Sequence, residues 1–203
     1  YAGYVVDNPS NSCCDACLPG TNATVCFDLN GSCSNSTGDG DYDFLLLDEM
    51  WIPQFCRALS NSYDPTLSHV EGMHCDYASN TFSIHGLWPN YVDGYPQCCN
   101  ASGNLKPLDP TIVEEWDIYP ALEANWYDPT TSSDCSTCYL LNHEWEKHGN
   151  CFSPGDASTY FSTGLQLRES LEDIDNIIAG LSGTIVNTSV IEDLYAKKPN
   201  IIC

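Results

Sequence analysis

The chain has 203 residues, with 28 acidic and 6 basic side chains that give a formal net charge of −22 at pH 7. A hydrophobic fraction of 42% excludes a disordered chain, and no apolar run approaches the roughly 20 residues that span a bilayer. The charge argues against a general DNA- or RNA-binding protein, because such proteins carry basic surfaces.

The first part of the chain combines an irregular segment with a strand and a helix. Residues 1–41 are dense in Cys, Asn, Ser and Gly and lack periodicity, which predicts a disulfide-rich N-terminal extension packed on the core. Residues 42–51 predict a buried strand that Pro53 ends, because proline cannot donate to a strand ladder. A short helix is expected over residues 54–62.

Alternating side chains predict a second strand over residues 80–88. Phe82 and Ile84 would face one side of this strand, with polar side chains on the other side. Gly86 and Pro89 are expected to end it.

Helical patterns dominate the rest of the chain. Helices are predicted over residues 110–125, 139–150, 156–182 and 188–196. Asp109 and Pro110 are typical of the start of the first helix, and Gly149 is typical of the end of the second. Residues 200–203 predict the start of a further strand. Few strands among several helices favour an α+β fold.

Cysteine usage predicts an oxidising compartment. The 13 cysteines include the CxxC pairs Cys14/Cys17 and Cys135/Cys138, but no block of four zinc ligands surrounds either pair. Disulfides are therefore the favoured interpretation, and zinc is the alternative.

N-glycosylation sequons support a secreted protein. Their acceptor residues are Asn22, Asn30, Asn35, Asn100 and Asn187. We interpret the chain as a mature protein whose signal peptide has been removed.

The segment from His143 to His148 carries the main chemical signal. Its histidines are five residues apart, whereas the zinc motif HExxH places them four apart, so the spacing argues against a metalloprotease. His143 and Lys147 lie four apart, as do Glu144 and His148, which places four ionisable groups on one helical stripe. A solvated charged face is the alternative. A functional site is favoured because the chain has only 5 histidines and 6 basic residues.

This set of side chains, together with His85, suits phosphodiester transfer without a metal ion. One imidazole can remove a proton from a ribose 2′-hydroxyl, and a second, protonated imidazole can deliver one to the 5′-oxygen leaving group. Lysine and glutamate side chains can stabilise charge on the phosphoryl oxygens. Because the 2′-hydroxyl is the nucleophile, this chemistry cleaves RNA and leaves DNA intact.

Two segments resemble the active-site segments of the ribonuclease T2 family. They are Phe82-Ser83-Ile84-His85-Gly86-Leu87-Trp88-Pro89 and His143-Glu144-Trp145-Glu146-Lys147-His148-Gly149-Asn150-Cys151. The resemblance covers residues 42–203 and implies an α+β fold with an antiparallel central sheet flanked by helices. It also implies a metal-independent endoribonuclease without a cofactor, which cleaves single-stranded RNA through a 2′,3′-cyclic phosphate at acidic pH.

The resemblance implies roles for five residues of the two segments. His148 matches the general base, and His85 matches the general acid. Glu144 and Lys147 match the residues that stabilise the transition state, and His143 matches a phosphate-binding histidine.

Three further residues are implied in binding the bases of the substrate. Trp88 matches a base-stacking residue, with a core tryptophan behind the strand as the alternative. Asn90 stands where many members carry Asp, so the family's base preference does not transfer to this chain. Tyr95 is a second candidate for base contact.

Cysteine pairing is implied by the same resemblance. Cys99, or its neighbour Cys98, is expected to pair with Cys151. Members of the family usually continue with a further cysteine-containing strand, so residues 42–203 would form a catalytic domain that lacks its last C-terminal strands. We expect Cys203 to pair with a segment that is cleaved or belongs to another chain.

The sequence therefore predicts a monomeric acid ribonuclease that binds RNA and neither DNA nor membranes. A charge of −22 repels a polyanion at neutral pH, and acidic pH relieves this repulsion as carboxylates protonate and histidines become charged. Activity is expected to fall steeply from about pH 5 to pH 8. The alternative is a secreted storage or signalling protein that keeps the fold without catalysis.

Overall fold

The computed structural model describes residues 41–61, 75, 80–99, 108, 113, 115–129, 136–153 and 155–201. Several sequence predictions lie outside these residues. They concern the extension before residue 41, the cysteines Cys14, Cys17, Cys135 and Cys203, and the sequons at Asn22, Asn30, Asn35 and Asn100.

Two antiparallel strands form the sheet within the described residues. Strand β1 is Phe44–Trp51 and strand β2 is Phe82–Asn90, and the two pair along their whole lengths. Because β1 supplies backbone partners beyond Gly86 and Pro89, the prediction that β2 ends at these residues is wrong.

Strand β1 is more exposed than its apolar sequence predicts. The relative exposure of Phe44 is 45% and that of Leu46 is 37%. The prediction of a strand is confirmed, but the prediction that it is buried is wrong. In contrast, Ile84 and Leu87 of β2 are fully buried, so the core lies on the β2 side of the pair.

A β-bulge interrupts the strand pairing at His85. Asp48 lies opposite Gly86 and Glu49 lies opposite Ile84, so the register passes over His85. Bulges change the direction of a side chain and are frequent beside active sites. Because of this bulge, the neighbouring acidic residues Asp48 and Glu49 of β1 contact different side chains.

The helices follow the predicted order with different bounds. Those whose bounds lie within the described residues are α1 (Ile52–Asn61), α2 (Tyr119–Asn125), α3 (Ser136–Lys147), α4 (Ala157–Glu169), α5 (Glu172–Gly180) and α6 (Thr188–Glu192). A 3-10 turn, Gly149–Cys151, follows α3. None of these helices has the length and apolar character to cross a bilayer.

Two predicted helices are interrupted. Residues 115–118 form turns, and α2 starts at Tyr119 with Pro120 in its first turn, a position where the missing N–H costs nothing. The predicted helix 156–182 is two helices, α4 and α5, separated by a turn at residues 170–171. Residues 200–201 are not in a strand.

The core joins β2 to the helices. Its buried apolar side chains are Ile84, Leu87, Leu108, Val113, Leu122, Trp126, Leu140, Leu141, Tyr160 and Phe161. Tyr160 of α4 donates its hydroxyl hydrogen to the Leu87 carbonyl at 2.9 Å. The Trp126 ring packs against Gly164, where a larger residue would overlap the indole. Helix α4 therefore fixes the strand that carries His85.

A buried ion cluster joins β1 to α4 and α5. Arg168 of α4 lies 3.2 Å from Glu49 of β1 and also pairs with Asp175 of α5. Removal of one partner from such a cluster leaves a buried charge uncompensated. Arg168 therefore has a structural role and is not available to bind a polyanion.

Helix α4 begins with a side-chain cap. Asp156 accepts a hydrogen bond from the Thr159 amide at 2.9 Å. We expect Asp156→Ala to lower the free energy of unfolding by about 1 kcal/mol, because the amide loses its partner. Urea denaturation of the variant would measure the change, and an unchanged midpoint would contradict the role of this cap.

Candidate active site

His85 projects from the bulge of β2 towards the segment of α3 that contains Glu144. Its Nδ1 lies 2.8 Å from Oδ2 of Asp48. Its Nε2 lies 3.9 Å from Oε1 of Glu144, which is beyond hydrogen-bond distance. The His85 carbonyl accepts a hydrogen bond from the Trp126 indole at 3.0 Å. Contacts to both the ring and the backbone therefore hold this histidine in place.

Glu144 is held by Trp88 beneath the imidazole of His85. Its side chain is 1% exposed, and Oε2 accepts a hydrogen bond from the Trp88 indole at 2.7 Å. A Cβ atom at Gly86 would overlap both the indole nitrogen and the carboxylate. The absence of a side chain at Gly86 therefore makes room for this hydrogen bond.

His148 follows the last residue of α3, Lys147. Its amide donates to the Glu144 carbonyl at 3.0 Å, so the helical spacing of these two residues continues past the end of the helix. The His148 ring lies 5.2 Å from the Trp88 ring and 6.5 Å from the Tyr95 ring, measured between centroids. Among the described residues, its Nδ1 has no hydrogen-bond partner.

The burial of Glu144 and His148 decides between a functional site and a solvated charged face on this helical stripe. Glu144 is 1% exposed, and His148 is 5% exposed. Solvated side chains on a surface helix would be far more accessible, so the alternative of a solvated face is wrong for these two positions.

Trp88 lies between the two histidines of the site. Its ring centroid is 5.3 Å from that of His85 and 5.2 Å from that of His148. The indole is partly exposed and donates to Glu144, so Trp88 is not a core tryptophan behind the strand. Trp88 therefore contacts both imidazoles and holds the carboxylate.

The other predicted binding residues surround this group. Asn90 ends β2 and donates from its side-chain amide to the Trp88 carbonyl at 3.1 Å. Tyr95 is exposed and lies beside His148. His143 is one helical turn before Lys147, and its electrostatic interactions with Lys147 and His85 place it in the same cluster.

A disulfide bond ties the loop after β2 to the end of α3. Cys99 is bonded to Cys151, the pair that the resemblance implied, with their Cα atoms 5.0 Å apart. The Cys98 amide also donates to the Lys147 carbonyl at 2.8 Å. The two links hold the residues on either side of His148, Lys147 and Cys151, against the loop that contains Tyr95.

The pKa values of the two catalytic candidates, His85 and His148, are shifted in opposite directions. Burial lowers the pKa of His85, but the hydrogen bond to Asp48 and the negative charges of Glu144, Asp48 and Asp128 outweigh it, so the pKa is raised above 6.5. Burial lowers the pKa of His148 to about 3, helped by the positive charge of Lys147 and by the nearby histidines.

The pKa values of the neighbouring Glu144 and His143 are also shifted. Burial raises the pKa of Glu144 to about 7, against the charge of His85 and the hydrogen bond from Trp88. Burial lowers the pKa of His143 to about 4, together with the charges of Lys147 and His85. At pH 5 to 6 the site therefore contains neutral His143 and His148 beside protonated His85 and a protonated Glu144.

Sequence patterns missed three features of this region. Asp48 lies within an apolar strand, and only the bulge at His85 brings the two together. The need for glycine at Gly86 depends on the Trp88–Glu144 contact. A second disulfide, Cys56–Cys75, stabilises α1. No group of three or more metal-ligating side chains suited to a metal ion occurs in the described part of the chain.

Comparison with known proteins gives consistent matches. Residues 42–193 match the model of the Ribonuclease T2 family. Ribonuclease 1 of Arabidopsis thaliana is 31% identical over 156 residues, which are 76% of this chain and 60% of the relative. The matched region spans about half to three fifths of the length of the first curated relatives.

Solved structures show the same fold. Ribonuclease MC1 from the seeds of bitter gourd superposes with a TM-score of 0.55 at 22% identity, covering 75% of this chain and 72% of the other. An RNase-related protein from Calystegia sepium gives a TM-score of 0.54 at 25% identity, with 80% of each chain covered. These likenesses confirm the predicted α+β fold.

Proposed function

The chain belongs to the ribonuclease T2 family, and we propose that it is an endoribonuclease that cleaves single-stranded RNA without a metal ion or cofactor. The observation that carries this proposal is the arrangement of His85 and His148 around Trp88, with the pKa of one raised and that of the other lowered. Environments that push the pKa values of two groups apart separate an acid from a base.

The proposed reaction forms a 2′,3′-cyclic phosphate. Neutral His148 removes the proton of the ribose 2′-hydroxyl, whose oxygen forms a bond to phosphorus. The bond from phosphorus to the 5′-oxygen breaks, and protonated His85 delivers a proton to this leaving group. The Lys147 ammonium stabilises charge on the phosphoryl oxygens, and Glu144 in its neutral form can donate a hydrogen bond to them.

The remaining site residues are proposed to bind substrate. Neutral His143 can donate one ring N–H to a phosphate oxygen. Trp88 and Tyr95 present aromatic rings on which bases can stack, and Asn90 can hydrogen-bond a base edge. We further propose a monomer that acts in a secreted, lysosomal or vacuolar setting, where disulfides such as Cys99–Cys151 persist.

The pH dependence of kcat/KM follows from the two shifted histidines. His148 is neutral above about pH 3, so the base is available throughout the mildly acidic range. As pH rises through the pKa of His85, which lies above 6.5, the acid is lost; Glu144 ionises near pH 7 and adds repulsion towards the phosphate. We expect high activity at pH 4 to 6 and a fall above about pH 7. The sequence alone predicted a fall from about pH 5 to pH 8, and the shifted pKa values place the fall in the upper half of that range. A flat profile from pH 5 to pH 8 would contradict this pair.

Cleavage assays on single-stranded RNA, on the same RNA in excess chelator and on DNA test the proposed function. We expect cleavage of single-stranded RNA to persist in excess chelator and to be absent for DNA of the same sequence. Cleavage that disappears with chelator would indicate a metal-dependent enzyme. A folded protein that leaves RNA intact at every pH would instead support a non-catalytic storage or signalling protein.

A further inference from the structure

We propose that Asp48 is a positioning residue that holds His85 in the protonated, correctly oriented form required of a general acid. This inference rests on the proposed function, because it concerns the same acid. Asp48 belongs to neither of the two histidine segments, and it acts through His85 without contacting the reacting atoms.

The geometry of the bulge supports this role. The register passes over His85 between Gly86 and Ile84, which turns the imidazole towards Asp48 on the neighbouring strand. Oδ2 of Asp48 lies 2.8 Å from Nδ1 of His85, the distance of a charge-assisted hydrogen bond. With its proton on Nδ1 engaged, the ring presents Nε2 towards Glu144 at 3.9 Å. The contact thus determines both the ring orientation and the nitrogen that delivers the proton.

Charged groups from three other segments also act on His85. Asp128, which follows α2, favours its protonated form, and so does Glu144 of α3 where it ionises, near pH 7. His143 and His148 interact with its positive charge, but both are neutral over the working pH range. Among these groups Asp48 is the one that hydrogen-bonds to the imidazole.

A purely structural ion pair is the competing explanation. The side chains of His85 and Asp48 are 31% and 35% exposed, and ion pairs with this access to water contribute little to stability. Removal of the Asp48 charge should therefore leave the fold intact. Loss of the Asp48 charge would shift the titration of His85 in any ion pair, whereas a matching change in the pH profile of kcat/KM would follow only from the positioning role.

The test compares Asp48→Asn with Asp117→Asn. Asn keeps the shape and one oxygen acceptor while removing the charge, and exposed Asp117 provides the same change in net charge elsewhere. NMR titration of the His85 imidazole and the pH profile of kcat/KM on RNA would be measured for both variants and the wild type. For Asp48→Asn we expect the His85 midpoint and the alkaline limb to move to lower pH. The kcat/KM on the alkaline side should fall roughly tenfold, from loss of a charge-assisted hydrogen bond, with a smaller change at pH 4 to 5.

The outcomes separate the two proposals. A wild-type protein that cleaves RNA, with an unmoved His85 titration in Asp48→Asn, overturns the positioning role alone. An equal shift in Asp117→Asn also overturns it, because the effect would then be one of net charge. A wild-type protein that does not cleave RNA overturns the proposed function and the positioning role with it.

Discussion

Replacing His148 with alanine is expected to reduce RNA cleavage by about 10²- to 10⁴-fold, the usual contribution of a general base. The His148 ring lies near the rings of both Trp88 and Tyr95. Its pKa of about 3 keeps it neutral where the enzyme is expected to work. The measurement is kcat/KM on single-stranded RNA at pH 5.

A second variant separates lost chemistry from lost packing. His148→Phe keeps an aromatic ring beside Trp88 and Tyr95 but has no basic nitrogen, so we expect it to be as inactive as the alanine variant. Lys198→Ala, at an exposed residue paired with Glu192, should retain wild-type activity. Normal cleavage by either His148 variant would rule out this residue as the base.

Replacing Gly86 with alanine is expected to lower kcat/KM by about 10²-fold, although the change adds only a methyl group. The added Cβ would overlap the indole nitrogen of Trp88 and the carboxylate of Glu144, so one or both must move. Displacement of catalytic groups by about 1 Å can cost 10²-fold in rate. Overpacking of this kind also destabilises a protein by about 1–3 kcal/mol.

Gly180→Ala is the matched control for this variant. Gly180 lies in α5, and a Cβ there meets nothing within 4 Å. Alanine is the better helix former, so this control should keep full activity and gain up to about 1 kcal/mol of stability. Thermal denaturation and RNA cleavage would be measured for both variants. Wild-type activity of Gly86→Ala would show that the Trp88–Glu144 contact is not needed for the reaction.

The negative charge of the chain leaves few cations to meet RNA. Arg168 is buried in ion pairs with Glu49 and Asp175, and Lys198 pairs with Glu192. Lys147 lies within the site, where its charge acts on His143 and His148. Binding of a polyanion by a protein of charge −22 therefore depends on local cations at acidic pH.

Local sequence patterns predicted the parts of the site that short-range rules control. The i,i+4 spacing of Glu144 and His148 survives in the structure even though α3 ends one residue before His148. The alternating pattern that predicted β2 also correctly placed His85 on a strand. Both features depend on residues close together in the chain, where periodicity is informative.

Features that depend on distant contacts escaped prediction. Asp48 and His85 are 37 residues apart in the sequence, and their pairing requires a bulge between the two strands that carry them. The continuous helix predicted over residues 110–125 missed the turns at residues 115–118 that precede the start of α2 at Tyr119. The break between α4 and α5 arises at Ser170, where no glycine or proline marks it. Tertiary packing and side-chain hydrogen bonds overrule local propensity at such positions.

Analysis of the cleavage product tests the central claim most directly. A dinucleotide with a single ribose 2′-hydroxyl beside its phosphodiester bond, incubated at pH 5 in chelator, would be followed by phosphorus NMR. The proposed roles of His148 and His85 predict a 2′,3′-cyclic phosphate as the first product, and no product from the 2′-deoxy substrate. A 5′-phosphate product, or equal cleavage of the 2′-deoxy substrate, would contradict the proposed acid–base pair.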